Sequence, residues 1–201
     1  MPVSPPRARG TAASPRILGR ILGIDPGTLR MGYGVIECRG PATLSYVECG
    51  VISAPASRPR HARLAEIGRG LRELLADLRP TAVAMEEAFF GKNVQATLAL
   101  GEARGVALFV LAEHGLEVTG YPPATVKQAV VGHGRATKEQ IGYLVRALLS
   151  LRRPPAADAA DALAIAICHA RNQPRPPVAR AARAPAGRAS PERRASPEGR
   201  E

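Results

Sequence analysis

Aromatic side chains are scarce in this sequence: there is no Trp, and only three Phe and four Tyr stand among 201 residues. With 45% of the residues apolar, a real core is still available, built mainly from Leu, Ile, Val and Ala. Cysteine is rarer still. Cys38, Cys49 and Cys168 are odd in number, and none stands in a CxxC or Cys/His arrangement. That argues against a disulfide framework and against a zinc site. No uninterrupted apolar run approaches the roughly 18 residues of a spanning helix, and the N-terminus lacks the apolar segment of a signal peptide. The expectation is a soluble cytoplasmic protein with no membrane partner.

Acidic residues are also outnumbered, and the formal net charge is +11. Residues 1–16 hold three Arg and no acid, and residues 173–201 hold seven Arg and three Glu. Taking +3 and +4 away leaves +4 for residues 17–172. Basic ends suit a polyanion such as nucleic acid. A GC-rich genome, which enriches Arg, Ala, Pro and Gly whatever the function, is the competing explanation. Neither end shows hydrophobic periodicity. Residues 1–16 read as a disordered extension and 173–201 as a disordered Pro/Arg-rich tail, with RASPE occurring twice.

Between them lies one domain, 17–172, in which patterns alternate. Short apolar runs at 17–25, 31–38 and 44–53 read as strands, the last two joined at Arg39-Gly40-Pro41 as in a hairpin. Residues 58–78 carry Leu64, Ile67, Leu71, Leu74, Leu75 and Leu78 at helical spacing. Strands are predicted at 81–85 and 116–120, and helices at 93–113, 124–131, 137–149 and 156–171. The order β-β-β-α-β-α-β-α-α-α predicts an α/β fold with a mixed five-stranded sheet and helices on both faces. Its first and fourth strands are expected side by side and parallel. Functional sites of such sheets form at the carboxyl ends of the strands.

Four acids interrupt these apolar segments. Asp25 ends the first strand and Glu86 follows the fourth, while Asp158 and Asp161, three apart, share one face of the last helix. Buried carboxylates are costly unless paired or bound to a metal. Two divalent cations would neutralise them, and Mg²⁺ favours such oxygen donors. Each residue also has a plainer explanation. Asp158 suits a helix cap, Asp25 before Pro-Gly suits a turn, and Glu86 and Glu87 suit a loop. The joint pattern favours a phosphodiester-cleaving centre with two metal ions.

Five stretches resemble the RuvC family of Holliday-junction resolvases: ILGIDPGTLRMGYGVI (21–36), AMEEAFFGKN (84–93), LGEARGVAL (100–108), TVKQAVVGHGRATKEQI (125–141) and DAADALAIAICH (158–169). They occur in the family's order and spacing over about residues 17–172. GIDPG alone would be weak; the five together are specific. The resemblance implies an RNase H-like nuclease domain that cuts four-way junction DNA by paired, symmetric hydrolysis, in recombination and repair. It implies that Asp25, Glu86, Asp158 and Asp161 hold two Mg²⁺ per subunit, with Mn²⁺ as a substitute. It further implies that Phe89 meets bases at the junction centre, with Phe90 a competitor, and that Lys127 and Lys138 lie near the DNA backbone. The long helix bearing Leu100, Arg104 and Ala107 is the family's dimer element, so a homodimer is expected, in company with the RuvA–RuvB branch-migration complex. The basic ends fall outside the shared region. His169, just after the acidic helix positions, and His133, in the Gly-rich loop, are placed near the site, and whether either assists catalysis is left open.

Three alternatives stand beside it. GIDPGT also resembles the first phosphate loop of actin-like kinases, which need a second domain that this length does not hold. A shorter RuvC-like nuclease family tied to ribosomal RNA processing shares the first Asp, but DAADAL and FFGKN favour the resolvases. A non-catalytic junction-binding module would not need all four acids.

Overall fold

A computed structural model describes residues 19–39, 43–87 and 93–173. The expected disorder of 1–16 and of the tail beyond Gln173 lies outside the described residues, as do Phe89 and Phe90.

Five strands form one sheet: β1 (Gly19–Asp25), β2 (Arg30–Cys38), β3 (Leu44–Ser53), β4 (Ala82–Glu86) and β5 (Val118–Tyr121). Their spatial order is β3-β2-β1-β4-β5. β1 to β3 form an antiparallel meander, while β4 runs parallel to β1 and β5 parallel to β4. The expected mixed sheet and the β1–β4 pairing are therefore present. The helices are α1 (Arg60–Leu78), α2 (Val94–Glu113), α3 (Pro123–Val131), α4 (Lys138–Leu148) and α5 (Ala157–Asn172).

Side chains alternate across the sheet, so each strand feeds two cores. Leu22, Ile24, Met31, Val35, Val83 and Met85 pack beneath α1 and α2. Ile21, Ile36, Cys38 and Ala84 meet α3, α4 and α5 on the opposite face. By the same alternation Asp25 and Glu86 belong to the α5 face, in step with Ile21 and Ala84.

α5 is the deeply buried helix, with Ala159, Ala160 and every residue from Ala162 to Ala170 buried. Its Ala-rich sequence lets the backbone lie unusually close to the sheet. A β-carbon at Gly23 would overlap the Ala162 carbonyl, and one at Gly32 would overlap the Asp158 carbonyl. These two glycines set the height of the helix above β1 and β2, and so place its first turn at the sheet's edge.

α2 is different. By length and composition it is the one helix among the described residues apolar enough to cross a membrane. Its apolar residues are interrupted by Gln95, Glu102 and Arg104, so the sequence still holds no uninterrupted run of that length. Ala103, Ala107, Val110 and Leu111 turn inward, whereas Val94, Leu98, Leu108 and Phe109 are exposed, Leu98 at 59% and Phe109 at 60%. Of the residues expected on the dimer element, Ala107 lies on the inward side. Ala107 is fully buried in the α1/α2 core and has no surface to offer a partner. Apolar spacing alone did not distinguish the two sides, because both are apolar.

Candidate active site

The strand register builds the first half of the site. Ile24 pairs with Met85 across the parallel β1–β4 ladder. One residue beyond that last pair, Asp25 ends β1 and Glu86 ends β4. Both side chains face α5, and neither forms an ion pair among the described residues.

The helix supplies the second half. The α5 cap position is Ala156, with no side-chain cap, so Asp158 does not act as the cap. It stands in the first turn, where the helix dipole favours a carboxylate. Its oxygen accepts from Arg30 Nε at 2.6 Å. One helical turn on, Asp161 accepts from Lys138 Nζ at 3.3 Å. Lys138 is held there by the start of α4, where Thr137 and Gln140 form a reciprocal capping box.

Asp25, Glu86 and Asp161 line a common cleft of about 290 Å³, together with Lys127, Lys138, Pro123, Val126, Ile141 and Ala164. Asp158 is not part of that lining and turns to Arg30 at the edge. The charges feel one another. Burial, then Asp161, Glu86 and Asp158, push the Asp25 carboxyl up to about 7, against the pull of Lys138. Burial and Asp161 also raise Glu86, opposed by Lys127 and Lys138. Asp161 in turn raises Lys138.

This donor set suits a hard divalent cation: all oxygen, crowded, half-buried and short of positive charge at Asp25 and Glu86. As the side chains stand, no three His, Cys, Asp or Glu among the described residues converge on one metal-sized point. Arg30 and Lys138 hold Asp158 and Asp161 in ion pairs. The residues fit a metal in chemistry and in neighbourhood, with two side-chain cations now holding two of the four ligand candidates.

The other sequence-derived candidates divide. Lys127 and Lys138 both reach the cleft. Leu100 is half-buried on α2. Arg104, expected at a dimer contact, reaches back within the chain and donates to the Glu86 carbonyl oxygen. His133 is exposed in the loop before α4 and does not line the cleft. His169 sits eight residues, roughly 12 Å along the axis, beyond Asp161. It is buried against Tyr121 Oη and Gln173, each at 3.0 Å, and burial lowers its pKa.

Arg30 was missed in the sequence, where nothing local links it to a partner 128 positions away. Ile141 and Ala164 had a readable signal: each stands three residues after a candidate, Lys138 and Asp161, on the same helix face.

A family model for crossover junction endodeoxyribonuclease RuvC matches residues 21–169. The chain belongs to the RuvC family. A crossover junction endodeoxyribonuclease RuvC of Chloroflexus aggregans is 51% identical over 156 residues, covering 77% of this chain and 94% of that protein. One from Halorhodospira halophila is 49% identical over 157 residues, with 78% and 93% covered. Among solved structures, Thermus thermophilus RuvC in complex with Holliday junction substrate is 37% identical at a TM-score of 0.71, covering 76% of this chain and 93% of that one. The yeast mitochondrial Holliday junction resolvase Ydc2, 13% identical at a TM-score of 0.58, shares the fold. Membership rules out the actin-like kinase alternative and brings with it divalent-metal-dependent nuclease chemistry.

Proposed function

We propose that this chain is a structure-selective endonuclease that resolves four-way DNA junctions. One observation carries this reading: Asp25, Glu86 and Asp161, from β1, β4 and α5, line a single cleft with Lys127 and Lys138, in a chain of the RuvC family.

The residues divide the work by position. Lys127 and Lys138 bring positive charge to the same cleft as the acids, where a DNA phosphate would sit against them. Asp25 and Glu86, fixed at adjacent strand ends, give the centre its rigid floor. Asp158 and Asp161 approach from above on a helix whose height the glycines set. Two divalent cations, Mg²⁺ with Mn²⁺ as a substitute, held by these four carboxylates, would supply activation of the attacking water and stabilisation of the leaving 3′-oxygen. The cleavage so catalysed is in-line hydrolysis, leaving 5′-phosphate and 3′-hydroxyl ends. Phe89 is assigned to stacking on unpaired bases at the junction centre, a contact worth roughly 1–3 kcal/mol per base.

Paired cuts need two copies of the centre. A twofold homodimer matches the approximate twofold symmetry of a four-way junction. The outward face of α2 is apolar and exposed at Val94, Leu98, Leu108 and Phe109, which supports that side as the interface. Leu100 flanks it. Arg104 is better read as tying α2 to Glu86 than as a partner contact. Coupling to a RuvA–RuvB branch-migration complex and a cytoplasmic setting complete the proposal.

The test is cleavage of a labelled synthetic junction across a Mg²⁺ titration, with wild type and Asp25→Asn. Nicking of the junction but not of linear duplex, lost in Asp25→Asn while junction binding persists, is expected. Binding without nicking at any metal concentration would leave the non-catalytic module instead.

A further inference from the structure

We infer that Arg30 is a tethered counter-ion for Asp158 that competes with the divalent cation and sets how readily the centre loads. The inference rests on the metal-dependent reading above and goes beyond it. Its basis is a contrast within the site. Asp25 and Glu86 form no ion pair among the described residues, whereas Asp158 is drawn to the edge of the cleft and held by Arg30 at 2.6 Å. An arginine side chain is charged at every physiological pH, so proton loss does not release this contact.

The tether matters as much as the charge. Arg30 opens β2, and its backbone is fixed in the ladder opposite Ser53. The side chain is 56% exposed, so the guanidinium is free to swing while its root stays put. A cation on such a short tether competes at high effective concentration, unlike a dissolved salt ion. Loading Asp158 therefore means exchanging Arg30 for metal. Once released, the guanidinium is available to donate to a phosphate oxygen. DNA that engages Arg30 would then favour metal at Asp158, and by linkage metal would favour DNA.

The experiment measures Mn²⁺ binding to the full-length protein by the loss of the free-ion paramagnetic resonance signal, without DNA. Arg30→Gln is expected to bind Mn²⁺ about two- to fivefold more tightly, the range that follows from releasing one partly exposed ion pair. Arg30→Lys should fall between the two. Arg60→Gln breaks an ion pair to Glu102 elsewhere on the surface and reports the effect of simply removing one positive charge. In an Asp158→Asn background, Arg30→Gln should change nothing. If wild type binds Mn²⁺ and Arg30→Gln binds it no better, or Arg60→Gln gains equally, the counter-ion inference falls and the metal reading stands. If wild type binds no Mn²⁺, both fall.

Discussion

Replacing Asp25 with Asn should make the metal-free protein more stable, and increasingly so as pH rises. Asp25 is half-buried beside three other carboxylates, and its pKa stands at about 7 rather than 3.8. A raised pKa means that the folded state holds this proton more tightly than the unfolded chain. The contribution of Asp25 to stability is therefore complete below about pH 4, declines as pH rises, and is lost above about pH 7. At 1.36 kcal/mol per pH unit, the gap corresponds to a ceiling of about 4 kcal/mol. Water reaching the cleft lowers it, so about 2–4 kcal/mol is expected at pH 8. For a domain of this size that is roughly 5–15 °C in Tm. Asparagine keeps the shape and removes the charge.

The assay is urea or thermal unfolding in EDTA, wild type against Asp25→Asn, at pH 4.5, 6 and 8. The gap should be smallest at pH 4.5, about a quarter of its full size, and widen toward pH 8, with the variant the more stable. Adding Mg²⁺ at pH 8 should stabilise wild type and the variant much less, closing or reversing the gap. A difference that does not grow with pH would refute the reasoning, because it would mean that the carboxylate carries no uncompensated charge in the folded state.

Other perturbations test the supports of the site. Gly32→Ala places a methyl group against the Asp158 carbonyl, and should cost about 1–3 kcal/mol in the urea midpoint while lowering junction cleavage more than tenfold. Thr137→Ala removes the capping box of α4; a loss of about 1 kcal/mol is expected, with weaker cleavage because Lys138 is the first residue of that helix. Phe109→Asp, on the outward side of α2, should leave a folded monomer by sedimentation, whereas Ala107→Asp, on the inward side, should unfold the chain.

Much of this was legible because it is local. Strand and helix types followed from periodicity, and the β1–β4 pairing followed from element order. Asp25, Glu86, Asp158 and Asp161 stood out as acids in apolar surroundings. What was not legible depended on packing. The two sides of α2 look alike in sequence, so the burial of Ala107 could not be read from it. Arg104 was expected at a dimer contact, though it bonds the Glu86 carbonyl within the chain. The Arg30–Asp158 pair joins opposite ends of the domain, and only the close seat of α5 on Gly32 brings them together.

That seat also explains why the four acids fall into two kinds. Asp25 and Glu86 are strand residues, and the parallel ladder between Ile24 and Met85 leaves them little freedom to separate and relieve their repulsion. Asp158 and Asp161 project from the first turns of a helix, within reach of side chains on β2 and α4, and each has found a cation. Fixed acids with no ion pair among the described residues keep the centre receptive to metal; acids on the helix with tethered partners keep it from being an open cluster of negative charge when none is bound. Reversing the arrangement, with an arginine beside Asp25, would satisfy the floor of the cleft permanently and remove the electrostatic demand that a divalent ion answers.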